Sequence, residues 1–208
     1  MSIGLLRWYT PKATFRRTAN HRLHEYFPEK SAQVWRSTRT WQTRLAASRP
    51  RYSASVNLMI RYAEWCCALY RALQDHGMSQ AEAGMIVEQV MSDAYRPVPA
   101  AMFRLSRLRS SKHDTRVKWL MSLITQYFFS SPFHHRHLSW ETGVAFDVTI
   151  CPFADYFRDQ GVPELTPYAA CNADHIAAHA LGIKLIRTQT ITGGAEYCDF
   201  RWEIPKQF

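Results

Sequence analysis

The sequence contains no apolar run approaching the roughly 20 residues that a helix needs to cross a bilayer. Its N-terminal stretch, MSIGLLRWYTPKATFRR, also lacks the long apolar segment followed by small residues that marks a secretory leader. These absences argue against membrane-spanning and secreted proteins. We therefore expect a cytoplasmic protein with no membrane partner.

Cysteines are few, five in 208 residues, and no two have CxxC spacing. An odd number in a reducing compartment favours free thiols over a disulfide framework. Gaps of 20 and 27 residues separate Cys151, Cys171 and Cys198, whereas zinc and iron–sulfur sites commonly use closely spaced pairs. His175 and His179 have the spacing of two zinc ligands on a helix, but HIAAH lacks the glutamate of HExxH. We expect neither metal nor cofactor, and a cysteine-ligated metal protein stays an open alternative.

Acidic residues are scarce in the first two-thirds of the chain. Residues 1–139 carry 21 Lys and Arg against 8 Asp and Glu, whereas residues 140–208 carry 5 against 9, within a net charge of +9. A nucleic-acid-binding protein would use such a basic surplus. No recognition motif or zinc-finger spacing accompanies it. We therefore interpret the surplus as arginines on solvated helix faces and expect no nucleic-acid partner.

Helical periodicity dominates this basic part of the sequence. In three segments, side chains recur at three- and four-residue steps, and each set predicts one face of a helix. The sets are Val34, Thr38, Trp41 and Leu45; Met59, Ala63, Cys66, Tyr70 and Leu73; and Val117, Leu120, Met121, Ile124 and Phe128. Ser79 and Glu82 have capping-box spacing, which predicts a further helix continuing to about Tyr95.

A histidine cluster, HHRH at residues 134–137, follows these helices. Histidine-rich tracts can bind metals. This one comes shortly after Pro132, in a stretch without helical or strand periodicity. We therefore predict a surface loop.

From Trp140 onward the period of the sequence changes to two. Residues 144–150 alternate between apolar side chains and smaller or polar ones, which predicts a half-buried strand. A short helix is predicted over 173–181, with Asn172 as its N-cap and Gly182 as its left-handed end. Two further strands are predicted over 184–192 and 196–204, joined by a turn at the paired glycines 193–194.

These patterns together predict an α+β fold. A mainly helical part, residues 1–139, is expected to pack on a small antiparallel sheet formed within residues 140–208. A chain of 208 residues is long enough for one sizeable core and short for two, so we predict a single domain over 1–208. The sequence leaves the oligomeric state open.

Three cysteines lie at or near the ends of the predicted elements in the acidic part. Cys151 closes a strand, Cys171 immediately precedes a helix, and Cys198 follows the glycine turn. A thiol at a helix N-terminus feels the positive end of the helix dipole, so we predict a lowered pKa for Cys171. Cys198 alternates with Phe200 and Trp202 in an apolar row, and a buried thiol acting as a small hydrophobe explains it equally well.

The same region resembles a known family. The successive segments CPFADYFRDQGVPELTPYAACNAD and LIRTQTITGGAEYCDFRW are similar to the signature of the L-2-amino-thiazoline-4-carboxylic acid hydrolase family. The resemblance covers about residues 140–204, and the helical stretch HGMSQAEAGMIVEQV fits it more loosely. The matching positions are Cys151, Pro152, Gly161, Cys171, Asp174, Arg187, Gly193, Gly194, Cys198, Asp199, Phe200 and Arg201.

The resemblance implies hydrolysis of a small heterocyclic ring at a C–N or C–S bond. The family's namesake opens 2-amino-thiazoline-4-carboxylate to N-carbamoyl-cysteine, so a carboxylate-bearing small molecule is the expected substrate. The ring carbon lies between two nitrogens and a sulfur and is an amidine-like electrophile. It becomes reactive when a ring nitrogen is protonated, and a thiolate or an activated water can then attack it.

Candidate roles follow for the residues at the matching positions. Asp174 is the candidate acid and base, and Cys171 is the candidate nucleophile. Cys198 is the alternative nucleophile, and Cys151 has a supporting role. Arg201 or Arg187 offers a planar cation for the substrate carboxylate.

Asp199 is expected to orient the arginine or the exocyclic amine of the ring. Structural roles are also open for these side chains. Asp174 can complement the helix dipole, and Arg201 can pair across the hairpin. A non-catalytic small-molecule-binding or regulatory domain therefore remains an alternative to the hydrolase.

Overall fold

The computed structural model describes residues 11–205, so the N-terminal stretch assessed for a leader lies largely outside the described residues. The chain is helical first and forms its sheet afterwards. The helices are α1 (Pro11–Tyr26), α2 (Ser31–Ala47), α3 (Ala54–Asp75), α4 (Gln80–Tyr95), α5 (Pro97–Leu105), α6 (His113–Leu123), α7 (Pro152–Asp159) and α8 (Ala173–Leu181). The strands are β1 (His134–Leu138), β2 (Gly143–Ile150), β3 (Lys184–Ile186) and β4 (Cys198–Glu203). None of the helices within residues 11–205 combines the length and the apolarity that a membrane span requires.

Helix α3 is the centre of the helical part. It packs against α2 and, at its other sides, against α4 and α7. Ala63, Cys66, Tyr70 and Leu73 are buried, as the periodicity predicts, and Cys66 is completely inaccessible to solvent. Burial raises the pKa of the Cys66 thiol well above its ordinary value, so this cysteine is core packing.

The capping box at the start of α4 is confirmed. The Ser79 hydroxyl accepts a hydrogen bond from the Glu82 backbone N–H, and the Glu82 carboxylate accepts one from the Ser79 backbone N–H at 3.0 Å. The helix ends at Tyr95, as predicted. Pro97 does not end the helical structure altogether, because it lies in the first turn of α5, where a missing N–H costs nothing.

The four strands form one antiparallel sheet with the order β1-β2-β4-β3, and the predicted small antiparallel sheet is therefore confirmed. Strand β4 lies between β2 and β3, with Phe146 opposite Phe200 and Val148 opposite Cys198. This register places Cys198, Phe200 and Trp202 on the buried face, as the alternation along β4 predicts.

The loop predicted for residues 134–137 is wrong, because these residues belong to the edge strand β1. His137 pairs with Phe146 and His135 with Val148. The strand is largely exposed and carries no alternation of apolar and polar side chains. Its conformation comes from the ladder with β2, a contact between distant parts of the chain that local periodicity does not report.

The strand predicted over 184–192 is too long. Strand β3 ends at Ile186, and the chain continues irregularly to a short 3-10 turn at Ile191–Gly193. The reason is a side chain on the neighbouring strand. The Asp199 carboxylate accepts hydrogen bonds from the backbone N–H groups of Thr188 and Gln189 at 2.9 and 2.8 Å, replacing the ladder bonds that a longer strand would need.

Strand β2 is confirmed at its predicted position, but it is not half-buried. Ala145 and Asp147, on the face expected to contact solvent, are buried as well. Arg136 and Arg201 each donate to the Asp147 carboxylate at 2.9 Å. The two arginines therefore shield this residue from solvent.

One hydrophobic core joins the helices to the inner face of the sheet. Phe129, just after the π-helical segment Ile124–Phe128 that extends α6, contacts the rings of both Phe146 and Phe200. The helical part thus packs directly on the sheet, which confirms the α+β class. This arrangement places α8 and the ends of β3 and β4 next to one another.

Candidate active site

An ion pair joins the start of α8 to the end of β3. Arg187 Nη1 donates to Asp174 Oδ2 at 2.6 Å, and Arg187 Nη2 donates to the backbone carbonyl of Cys171 at 3.1 Å. Asp174 lies in the first turn of α8, and Arg187 is the residue after β3. One guanidinium therefore holds together two of the sequence positions proposed for chemistry.

The carboxyl group of Asp174 has an unusually high pKa for an aspartate. Burial raises its pKa from 3.8 to about 6, although Arg187 acts in the opposite direction. The Asp174 side chain is 26% exposed, so water can reach it. A carboxyl with a pKa near the working pH can both donate and accept a proton.

Arg187 is almost completely buried, with 7% of its side chain exposed. Its guanidinium lies over the Phe200 ring, 5.2 Å from the centroid. It also lines a small open cavity of about 350 Å³, whose other wall residues are His175, Thr188, Gln189, Thr190, Gly193 and Ala195. Arg187 thus lies in the wall of a small cavity, and Asp174 is connected to that cavity through its ion pair with Arg187.

Cys171 adjoins this pair. Its sulfur is 3.8 Å from the Thr192 hydroxyl, which is in turn 3.2 Å from the Thr190 hydroxyl. Burial is the largest cause of a rise in the thiol pKa to about 11, and the negative charge of Asp174 contributes to it.

The predicted lowering of the Cys171 pKa is therefore wrong. Cys171 ends a π-helical turn, Pro167–Cys171, that continues almost directly into α8. It is not at a free helix N-terminus, and desolvation exceeds any effect of the dipole. Asn172 occupies the N-cap position without making a capping bond, because its side chain donates to Glu88 at 2.7 Å.

The other two cysteines of the acidic part lie close to Cys171. The Ile191 backbone N–H donates to the Cys198 sulfur at 3.2 Å. Burial raises the pKa of the Cys198 thiol and raises that of Cys151 to about 12. A charge on Cys171 or Cys198 would raise the pKa of Cys151 further, so the three sulfurs share one neighbourhood. All five cysteines are free thiols.

Comparison with family models gives one match, to L-2-amino-thiazoline-4-carboxylic acid hydrolase, over residues 59–202. The match spans more than half of the chain. The chain belongs to this family. Neither the curated proteins nor the solved structures gave a match. The region matched by the hydrolase family is wider than the resemblance seen in the sequence, because it includes most of α3 and all of α4, α5 and α6.

Two positions of the family signature, Asp199 and Arg201, lie on the opposite face of the sheet from Cys198. Asp199 accepts hydrogen bonds from the backbone and the hydroxyl of Thr188 and from the backbone of Gln189. Burial alone would raise the pKa of Asp199, but these hydrogen bonds outweigh it and hold the pKa below its ordinary value. The structure thus places Asp199 as an anchor for the segment that follows Arg187.

Arg201 donates to Asp147 at 2.9 Å and to the backbone carbonyls of Phe146 and Phe200. Asp147 also accepts from Arg136, so the three charged side chains form a network on the outward face of the sheet. This position separates Arg201 from the cavity beside Asp174. Of the two arginines proposed to bind a substrate carboxylate, Arg187 is the one that lines that cavity.

Sequence reasoning did not identify Thr190, Thr192 or His175 as neighbours of this site. The run TQTIT contained the threonines, but its β propensity pointed to a strand rather than to a wall of a cavity. His175 and His179 are exposed on α8. Within residues 11–205, no three side chains of His, Cys, Asp or Glu are arranged to hold a metal ion.

Proposed function

We propose that this protein is a hydrolase that opens a small, carboxylate-bearing, cyclic amidine-like ring at the site formed by Asp174, Arg187 and Cys171. The observation that carries the proposal is the environment of Asp174. Burial raises the pKa of this carboxyl to about 6, and the buried arginine that holds it in place lines a small cavity. A carboxyl whose pKa is raised by desolvation next to a specific charge partner is a candidate for acid–base chemistry.

The attacking group in this proposal is water. At neutral pH a thiol with a pKa of about 11 is almost entirely protonated, and the pKa values of Cys151 and Cys198 are also raised. With the ring nitrogen protonated, the Asp174 carboxylate takes one proton from water as the oxygen bonds to the ring carbon. It then gives this proton to the ring sulfur as the carbon–sulfur bond breaks. The new carbon-bound hydroxyl loses its proton to solvent, which balances the proton taken up by the ring nitrogen, so one water is consumed and a urea and a thiol are formed.

Arg187 is proposed to bind the carboxylate of the substrate. A guanidinium has five N–H donors, and the hydrogen bonds to Asp174 and to the Cys171 carbonyl use two of them. Its position over Phe200 restricts the plane of the guanidinium. A fixed planar cation orients a carboxylate better than a flexible lysine does.

The first test is incubation of 2-amino-thiazoline-4-carboxylate with the purified protein, with and without chelator, followed by mass spectrometry. We expect a product heavier by one water in both samples and none with Asp174→Asn. Turnover only without chelator would instead indicate a metal-dependent reaction. Asp93→Asn is a matched control, because Asp93 pairs with Arg22 at 2.7 Å and its side chain is 28% exposed. Full turnover by Asp174→Asn would reject the proposed role.

Cys171→Ser separates water from the thiol as the attacking group. If water attacks, this variant keeps measurable turnover and no covalent adduct forms. An adduct on Cys171 in the wild-type protein, together with an inactive serine variant, would assign the nucleophile to the thiol instead.

The reaction is proposed to take place in the cytoplasm, because a reducing compartment keeps cysteines as free thiols, as all five are here.

A second candidate function is small-molecule binding without turnover. The raised pKa values of all three neighbouring thiols favour it over catalysis by a thiol, because none of them is activated as a nucleophile. The substrate would then raise the melting temperature without changing mass. Thermal unfolding measured beside the mass spectra distinguishes the two functions.

A further inference from the structure

A second and larger cavity lies at the other edge of the sheet, beside strand β1. It is a groove of about 720 Å³ between α6, the π-helical segment that follows it, and strand β1. The volume falls within the range of small-molecule sites. The histidine cluster of residues 134–137, for which the hydrolase reaction provides no role, contributes three of its side chains to the wall.

Flat aromatic rings form part of this wall. The rings of His135 and His137 are 4.9 Å apart, and each lies about 6 Å from the Phe146 ring. Phe129 adds a further ring, 6.4 Å from that of His135 and at 79° to it, so a flat ligand ring that stacks on one of the two meets the other edge-on. Burial lowers the pKa of His135, so its imidazole is neutral at pH 7 and presents an aromatic surface rather than a charge.

The only side chain with a permanent charge in the wall of this groove, as far as residues 11–205 are concerned, is Lys118 on α6. No Asp or Glu within the same range lines it. Lys118 forms an ion pair with Asp114 at 3.1 Å, but both side chains are more than half exposed. Such a pair contributes little, so the ammonium group can turn to a ligand at low cost. The chemistry of the wall therefore favours a ligand with a flat ring and a negative charge.

We propose that this groove binds a planar organic anion, an aromatic or heteroaromatic carboxylate, with its ring against His135 and Phe129 and its charge at Lys118. The groove is separate from the Asp174 site. Phe146 and Phe200 stack between the two, with ring centroids 5.1 Å apart, and Arg187 lies on the far side of Phe200. The proposal therefore does not rest on the hydrolase reaction.

Titration calorimetry with three probes tests both features of the ligand. The first probe is 2-naphthoate, which is planar and anionic. The second is 2-naphthamide, of the same shape but neutral, and the third is cyclohexanecarboxylate, anionic but not planar. We expect 2-naphthoate to bind about fivefold more tightly than either control, which corresponds to about 1 kcal/mol. No binding of 2-naphthoate, or equal binding of the naphthoate and the amide, would overturn the proposal.

Two variants assign the binding to the groove. Lys118→Gln should reduce the affinity for 2-naphthoate to that of the amide, whereas Lys184→Gln, a change on the opposite edge strand, should have no effect. His135→Leu should weaken both aromatic probes, and a thermal unfolding curve checks that this variant is folded. Unchanged affinity in Lys118→Gln would reject the site.

Asp174→Asn separates this proposal from the proposed reaction. We expect this variant to bind 2-naphthoate as the wild type does, even when it has lost all turnover. Loss of 2-naphthoate binding in Asp174→Asn would place the probe in the smaller cavity and reject the groove. A failure to detect ring opening in the wild type would leave the expected binding unchanged.

Discussion

Glu64 in the helical part and Asp174 in the sheet-containing part are both shielded carboxylates paired with an arginine, yet their surroundings differ. Glu64 accepts two hydrogen bonds from Arg49, at 2.6 and 2.8 Å, and a third from Gln42 at 2.6 Å. Asp174 accepts one, from Arg187. The Glu64 side chain is 1% exposed, whereas that of Asp174 is 26% exposed.

The difference separates a fully compensated ion pair from one that supports the proposed site. Three donors compensate the charge of Glu64, and its closed surroundings leave no room for a reactant. Asp174 has fewer donors, its pKa is raised to about 6, and its partner Arg187 lines a cavity. We therefore interpret the Glu64 pair as structural and the Asp174 pair as the centre of the site.

The largest expected effect is the loss of activity in Asp174→Asn. Removing a general acid and base lowers turnover by about 10²- to 10⁴-fold. Initial rates of ring opening at saturating substrate measure this. Glu64→Gln, compared at a temperature where it is folded, should retain the wild-type rate. Equal losses in the two variants would remove the distinction between the pairs.

The next effect is on stability. Glu64→Gln should lower the free energy of unfolding by about 3 kcal/mol, because it leaves the Arg49 charge without its partner. Urea unfolding followed by circular dichroism measures the change. Glu25→Gln is the control, since Glu25 pairs with Arg22 at a side chain that is 46% exposed, and we expect less than about 1 kcal/mol there. A loss of the same size in both variants would contradict the structural role of Glu64.

The raised pKa of Asp174 also predicts how stability depends on pH. Because its pKa in the folded state is about 6 and its ordinary value is 3.8, the folded protein binds the extra proton between these values. This carboxyl therefore lowers stability as pH rises from 4 to 7.5, by about 1 to 3 kcal/mol. Between pH 4 and pH 7.5, the urea midpoint should fall more for the wild type than for Asp174→Asn. Parallel changes would show that the pKa is not raised.

Thiol reactivity provides a further comparison between the helical part, which contains Cys66, and the sheet-containing part, which contains Cys171. Burial raises the pKa values of Cys171 and Cys66, so at pH 7.5 both should react with iodoacetamide at least about tenfold more slowly than free cysteine. Peptide mass spectrometry follows each residue. As the pH rises towards 10, Cys171 should gain reactivity while the inaccessible Cys66 stays protected. Rapid labelling of Cys171 at pH 7.5 would indicate a thiolate and support the thiol as nucleophile.

The smallest expected effect concerns the capping box of α4. Ser79→Ala removes the hydroxyl that accepts from the Glu82 N–H and should cost about 1 kcal/mol of stability. Activity at a temperature below the transition should not change, because the box lies on the exposed start of the helix. Ser111→Ala, at another exposed serine, controls for the loss of a hydroxyl. A loss of turnover would connect α4 to the site.

Local patterns predicted the elements that depend on neighbouring residues in the chain. The faces of α2 and α3, the capping box and the alternation along β4 were readable because each repeats at the period of its own backbone. Strand β1 and the early end of β3 were not readable in this way. The first depends on pairing with β2, and the second on Asp199, which lies ten or more residues away along the chain.

The candidate site likewise combines residues that the sequence identified with features that the sequence did not predict. The family signature contains Cys171, Asp174 and Arg187, and the structure brings these three together. It also contains Arg201 and Asp199, which the pleat of β4 directs to the other face. The direction of the Cys171 pKa shift depended on burial, which a helix-terminus argument from sequence does not include.

The sequence by itself determined the α+β class, the bounds of α4 and α8, the face of each residue in β4 and the membership of the hydrolase family, because periodicity and signature residues are properties of the chain order. Only the tertiary structure decided which charges meet and which thiols are buried. It paired Arg187 with Asp174 and Arg201 with Asp147, and it raised the pKa of the thiols by removing them from water. Electrostatic interaction depends on distance and solvent in three dimensions, and neither quantity is encoded in residue spacing.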